Sequence, residues 1–156
     1  MEQTLIEEVR AFNRFYTGIT GLLDRNFLNS PYSLAEIRVL YEIFHHKGIR
    51  ASQIMEIMHI DKSYLSRILK KLGKDRLVSR ERSKEDGRAY MLYLTQKGVA
   101  EFKLLNKASD RQIAGLLEPL TQKEKERLIA RMKDILQILT PENNSKYGAD
   151  SKDSGY

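Results

Sequence analysis

Residues 59–94 constrain this chain more than any other stretch. Leu65, Ile68, Leu69 and Leu72 fall at i, i+3, i+4 and i+7, the spacing of one buried helix face. Asp61 stands just before them, where a side-chain oxygen can accept from the free N–H groups of a first helical turn. The opposite face carries Lys62, Ser63, Tyr64, Ser66, Arg67, Lys70 and Lys71. Those side chains can donate to phosphates or reach base edges, and an α-helix fits the major groove of B-DNA. Gly73 is expected to end the helix. Residues 77–82 then read as a strand with two arginines, residues 83–88 as a turn-rich tip with Asp86-Gly87 as a hairpin signal, and residues 89–94 as the return strand.

The charge is concentrated in the same place. From Lys62 to Arg88 there are ten Lys/Arg against four Asp/Glu, a net of +6 that equals the formal charge of the whole chain. A basic excess confined to one stretch is an electrostatic footprint for a polyanion. A charge-rich helix face alone is also what solvated surface looks like, and arginines on a hairpin are no more specific. The two together, with another helix just upstream, favour nucleic acid.

Upstream, Ser33 and Glu36 form a capping box, with Tyr32 and Ile37 placed for a hydrophobic staple. The helix they open runs to about residue 46 and buries Ile37, Leu40, Tyr41 and Phe44. Gly48 is expected at its C′ position. Ile49 can add a short strand. Residues 51–58 are a short helix with Ile54, Ile57 and Met58 apolar, and residues 59–61 are a tight turn into the basic helix. A short helix, a tight turn and a basic second helix make a helix-turn-helix.

Long amphipathic helices flank this lobe. Leu5, Val9, Phe12, Tyr16, Ile19 and Leu23 recur at helical spacing over about 4–26. Thr95 caps a helix over about 96–117, with Val99, Phe102, Leu105, Ile113 and Leu116 as buried positions. Pro119 interrupts, and Thr121 and Glu124 form a second capping box for a helix over about 121–139. Its seam is Leu128, Met132, Ile135 and Leu139, widened by Ile129, Leu136 and Ile138. The length of the first seam points to a second subunit, the alternative being packing within one chain, and the wide face of the last helix is expected to pack on both its own core and a second subunit. Pro141 ends the last helix, and residues 141–156 are polar and expected to be disordered. The expected architecture is mainly α with a small β-wing: one winged helix-turn-helix domain over 1–140, its lobe at about 32–94.

The order of elements, with Leu72-Gly73-Lys74-Asp75-Arg76-Leu77-Val78-Ser79-Arg80, then Asp86-Gly87-Arg88, then Leu94-Thr95-Gln96-Lys97-Gly98, resembles the MarR family of bacterial transcriptional regulators over about residues 4–140. The resemblance implies a homodimer whose N-terminal and two C-terminal helices form its base. It also implies repression from pseudo-palindromic double-stranded DNA operators. Carried onto this chain, Lys62, Ser63, Tyr64, Ser66 and Arg67 take the recognition positions, with Lys70, Arg82 and Lys84 as further DNA contacts. Arg88 takes the place of the wing arginine that enters the minor groove, where negative potential is focused. Asp86 takes that of its orienting carboxylate, or is simply a turn residue. His59 stands where the family's turn often has glycine, and histidine tolerates positive φ better than most residues.

Many family members bind small aromatic acids or phenols, and Tyr16, Tyr41, His45 and Arg50 are the candidates for such an effector site, although Tyr16 and Tyr41 also lie on apolar stripes. The chain contains no cysteine, which excludes disulfides, thiolate metal sites and a peroxide-sensing thiol. His45 and His46 are adjacent on a helix, about 100° apart, and do not easily share one metal ion. No cofactor motif, nucleophile elbow or phosphate-binding glycine loop is present, so an enzyme is not expected. Neither is a membrane span or signal peptide, and a cytoplasmic location is expected. The alternatives are a winged-helix protein-interaction module, or the regulatory half of a longer protein with a C-terminal acetyltransferase domain.

Overall fold

The computed structural model describes residues 2–21 and 27–140. Leu23, the role of Pro141 and the expected disorder of 141–156 all lie outside the described residues, whereas the first helix is shorter than the expected 4–26: it ends at Ile19, and Gly21 turns the chain at φ 62°. Among the described residues the order is α1 (Glu2–Ile19), a 3₁₀ turn (Phe27–Asn29), α2 (Leu34–His45), β1 (Ile49–Arg50), α3 (Ala51–Met58), α4 (Lys62–Lys74), β2 (Val78–Arg82), β3 (Tyr90–Leu94), α5 (Gln96–Leu117) and α6 (Gln122–Leu139). The winged helix-turn-helix expected from the sequence is therefore present. Two compact units meet in the chain at Gln112 and Ile113.

In the first unit, the three strands form an antiparallel sheet in the order β1-β3-β2. Ile49 pairs with Leu92, and the hairpin registers Val78 with Leu94, Arg80 with Leu92 and Arg82 with Tyr90. The core lies between this sheet, α2, α3, α4 and the first turns of α5. Val39, Leu40, Ile43, Ile54, Leu65, Leu72, Leu77, Leu92 and Phe102 are buried in it. The stripe of α2 is turned from the expected one: Val39, Leu40 and Ile43 are fully buried, whereas Ile37, Tyr41 and Phe44 are only partly so. Glu42 is buried with them, its carboxylate accepting from Arg38 Nε at 2.7 Å and lying 3.5 Å from His46 Nδ1. A buried carboxylate needs such partners.

The helix boundaries follow the capping chemistry, with two corrections. The Ser33–Glu36 box is formed in both directions, as is that of Thr121 and Glu124. His46, however, is the C-cap of α2, so Gly48 stands two residues past the cap. It adopts φ +76°, and a Cβ there would lie 2.6 Å from Met91 Cε. The second correction concerns Gly73, which does not end α4. The helix continues to Lys74, with Asp75 as C-cap. Arg76 takes the left-handed conformation at φ 61°. The Arg76 N–H donates to Gly73 O and the Leu77 N–H to Leu72 O at 2.9 Å, which is a Schellman motif closed by the buried pair Leu72 and Leu77.

This turn is fastened to the start of α5. The Thr95 hydroxyl donates to the Arg76 carbonyl at 2.6 Å, and the Thr95 N–H to the Leu77 carbonyl at 3.0 Å. Thr95 Oγ1 also accepts from the Gly98 N–H, the expected N-cap bond. Lys97 Nζ donates to the Asp75 carbonyl at 2.8 Å. Gly98 packs directly on the Leu77 peptide: a Cβ there would run into the Leu77 carbonyl oxygen and lie 2.9 Å from its carbon.

In the second unit, the end of α5 is followed by α6. Ile113 is exposed and Leu116 half-buried, not buried as the spacing suggests, because few elements surround them. Along α6 the seam residues Leu128, Ile129, Met132, Ile135, Leu136, Ile138 and Leu139 are all exposed. In the first unit, Leu5, Val9, Phe12, Phe15 and Ile19 of α1 are exposed too. No helix among the described residues is long and apolar enough to cross a membrane.

The close approach at Gly98 gives a test. Gly98→Ala should lower stability by about 3 kcal/mol, the upper end for overpacking. Arg76→Gly should raise it by up to about 1 kcal/mol, by relieving a left-handed non-glycine residue. Denaturant unfolding of the two variants beside the parent chain measures both.

Candidate nucleic-acid interface

The presentation of α4 begins at its first residue. Asp61 Oδ1 accepts from the Tyr64 N–H at 2.9 Å, which fixes the first turn. The preceding turn depends on His59, which caps α3 in the left-handed conformation at φ 52°. Leu65, Ile68, Leu69 and Leu72 are buried, so the remaining arc of the helix faces solvent. At about 100° per residue, Lys62 and Ser66 form one edge of that arc, Ser63, Arg67 and Lys70 its middle, and Tyr64 and Lys71 the far edge.

The first edge looks into a cleft of about 580 Å³ beside the wing. It is lined by Arg50, Ser52, Lys62, Ser66, Arg80, Asp86, Arg88 and Tyr90, with Met55, Leu65, Leu69 and Leu92 at its floor. Strand alternation explains the wing's contribution, since Arg80 and Arg82 pair with Leu92 and Tyr90 and side chains two apart share a sheet face. Arg82 Nε donates to Tyr90 Oη at 3.4 Å, and its guanidinium lies over that ring. The contact raises the Arg82 pKa above its ordinary value. Arg67 lies 5.7 Å from the centre of the Tyr64 ring. Lys62, Lys70, Arg80, Lys84 and the guanidinium of Arg88 make no hydrogen bond or ion pair among the described residues.

The wing tip differs from the expected hairpin. Asp86-Gly87 does not form a tight two-residue turn, and Gly87 stays outside the left-handed region. A longer loop spans 83–89. The Ser83 N–H donates to Ala89 O, and the Ala89 N–H to Asp86 O. The Asp86 N–H donates to Ser83 Oγ, and Asp86 Oδ1 accepts from the Arg88 backbone N–H at 3.1 Å. Asp86 thus fixes the backbone at Arg88 and leaves the guanidinium projecting into solvent.

Lys71 is the cation of α4 that is already engaged. Its Nζ lies 2.7 Å from Glu36 Oε2, 3.1 Å from the Pro31 carbonyl and 5.3 Å from the centre of the Tyr32 ring. Tyr32 is buried, and burial, followed by the carboxylates of Asp75 and Glu101, pushes its phenol up to about 12.

The four residues proposed for an effector do not gather in one place. Tyr41 and His45 do, with ring centres 4.0 Å apart, and both face Phe102. Tyr16 stacks on Phe12 of α1. Arg50 lines the wing cleft instead. The cleft also adds Ser52 and Arg80, which the sequence reading did not select. The signal for Arg80 was present, because it shares a strand face with Arg82. No cluster of metal-ligating side chains occurs among the described residues.

A family model described as MarR matches residues 32–90, from the start of α2 to the wing. Residues 32–90 are a MarR-family domain. The match takes in both helices of the helix-turn-helix, the tip and Arg88. Among relatives, the chain is 27% identical over 107 residues to the HTH-type transcriptional regulator PetP of Rhodobacter capsulatus, covering 69% of this chain and 64% of PetP. It is 29% identical over 105 residues to the HTH-type regulator YdgJ of Bacillus subtilis, covering 65% of this chain and 64% of YdgJ. The matched stretch therefore spans less than two thirds of either relative. The crystal structure of apo MarR from E. coli superimposes with a TM-score of 0.70 at 22% identity, covering 81% of this chain and 95% of that one. At that identity the likeness establishes the MarR fold alone.

Tyr32 offers a pH test of the lobe. Its folded pKa is raised above the ordinary value of 10, so the fold favours the neutral phenol. That stabilisation is whole below pH 10 and is lost as pH rises towards about 12. Tyr32→Phe should flatten the decline in stability across this window, as read from denaturant midpoints at a series of alkaline pH values.

Proposed function

We propose that this chain is a sequence-specific transcriptional regulator that binds double-stranded DNA as a homodimer, acting as a repressor on a pseudo-palindromic operator. The observation that carries this reading is the row of unpaired cations on α4 and the wing, set around an exposed helix arc. Unpaired surface cations repel one another and do little for stability, but they match a phosphate backbone. In this reading Ser63, Tyr64, Ser66 and Arg67 meet base edges in the major groove. Lys62, Lys70, Arg82 and Lys84 meet phosphates, joined by Arg50, Ser52 and Arg80 from the cleft. Arg88 enters the minor groove, and Asp86 holds the backbone that aims it.

The dimer is supported by the exposed apolar stripes of α1 and α6, since contiguous exposed apolar surface marks interaction sites. Two copies would set two recognition helices at palindromic half-sites. A small aromatic or phenolic effector is assigned to the half-buried Tyr41 and exposed His45 beside Phe102, whose rings can stack on a flat ligand.

The deciding experiment is a duplex-binding titration at two salt concentrations, with DNA from upstream of the chain's own gene beside random DNA. Tight binding to one sequence with a palindromic footprint is expected, weakening steeply with salt at about 0.9 log units per released phosphate contact. Salt-insensitive association, or no DNA binding, would favour a protein-interaction module instead. Arg88→Ala should reduce operator affinity roughly tenfold, within the range for one groove contact, while leaving the fold and dimer intact. Leu136→Lys, at a 64% exposed seam position, should shift sedimentation towards the monomer; an unchanged dimer would remove α6 from the interface.

A further inference from the structure

Lys71 lies on the basic side of the recognition helix and by composition belongs with the DNA-contacting cations. Its surroundings argue otherwise. The ammonium donates to Glu36 Oε2 at 2.7 Å and to the Pro31 carbonyl at 3.1 Å, and it sits above the Tyr32 ring. Glu36 Oε2 is the same oxygen that accepts from the Ser33 N–H at 2.9 Å in the α2 capping box. The Glu36 side chain is only 12% exposed and that of Lys71 43%, so one end of this pair is shielded from water and the other is not. Four residues further on, Asp75 caps α4, and, after burial, its negative charge helps to raise the pKa of the Tyr32 phenol. The C-terminal half of α4 is thus tied through Lys71 to residues 31–36, some 35 to 40 positions away in sequence.

We propose that Lys71 is a positioning residue: through Glu36 and Pro31 it sets the tilt of α4, and thereby the placement of Ser63 and Arg67, without touching DNA. This rests on the DNA-binding reading above. The apolar stripe of α4 holds the helix against the core, and the ion pair adds a directional restraint from its solvent side. The ion pair acts at the opposite end from Ser63, roughly 12 Å away along the axis at 1.5 Å per residue. A tilt of about 5° over that length moves Ser63 by about 1 Å, enough to spoil a bidentate base contact but not a phosphate contact.

The sign of the Glu36 effect separates positioning from direct contact. The test uses the full chain, a duplex selected by the parent protein from a randomised pool, and an unselected duplex. Lys71→Met should lower the ratio of selected to unselected affinity roughly fivefold, as expected for loss of a coupled contact, with the salt slope unchanged. Glu36→Gln keeps an acceptor for Ser33 but removes the charge, and should lower the ratio similarly. The double variant should be no worse than either single one. If Lys71 met a phosphate, Lys71→Met would reduce the salt slope by about one contact and weaken both duplexes alike, while loss of the Glu36 charge would strengthen binding; that result overturns the assignment. A lowered melting temperature with unchanged discrimination would also overturn it, leaving the pair as fold support. Salt-insensitive binding by the parent protein would instead remove the DNA reading itself, and this assignment with it.

Discussion

The lobe depends on a clasp made by Thr95 and Gly98 against the peptides of Arg76 and Leu77. Those peptides are where α4 stops and β2 starts, and Thr95 is where β3 stops and α5 starts. One hydroxyl donates to the Arg76 carbonyl and accepts from the Gly98 N–H, so the junctions at both ends of the hairpin share a single side chain. Carbonyls in such a turn would otherwise be stranded without partners. The absence of a side chain at Gly98 lets α5 approach until its backbone lies on Leu77. The junctions that carry the recognition helix and the wing are therefore held by short polar contacts as well as by the packed side chains of the core.

The cations of the lobe divide into those that are neutralised and those that are not. Arg38 is held by the buried Glu42 and Lys71 by Glu36, while Lys97 covers the Asp75 carbonyl at the end of α4. Arg38 lies within α2, whereas Lys71 and Lys97 sit where two elements join, Lys97 on a neutral carbonyl. Lys62, Lys70, Arg80, Lys84 and Arg88 sit around the cleft and the helix arc, and among the described residues none is neutralised. Proximity on the sequence does not separate the classes, since Lys70 and Lys71 are neighbours. The acceptor within reach does.

Much of the fold was legible because it rests on local chemistry. Ser33, Asp61, Thr95 and Thr121 all cap the helices they were expected to cap, and the stripe from Leu65 to Leu72 is buried as its spacing requires. The misreadings share a different cause. Gly73 looked like the terminator because glycine is the usual left-handed residue, but the long-range bond from Thr95 holds Arg76 in that conformation instead. Asp86-Gly87 looked like a tight hairpin because Ser83 could not be seen to accept from the Asp86 N–H. Glu42 was not expected in the core because its partners are set by the side-chain placement of Arg38 and His46. Arg50 was assigned to an effector because nothing local shows that β1 pairs with β3 and carries it to the wing cleft. Ile113 was read as buried, and the α6 seam as packed in part on its own core, because periodicity identifies an apolar face but not whether the same chain covers it.

The wing tip has a practical consequence. Its loop takes its shape from the Ser83 and Asp86 side chains, while the intervening Gly87 has ordinary backbone angles and nothing within 4 Å of where a Cβ would stand. The sequence has no cysteine. A single thiol introduced at position 87 would therefore be a unique attachment point, next to Arg88 but outside the bonds that shape the loop. A fluorophore or spin label placed there would report the surroundings and motion of the wing directly, in a background that needs no other cysteine removed.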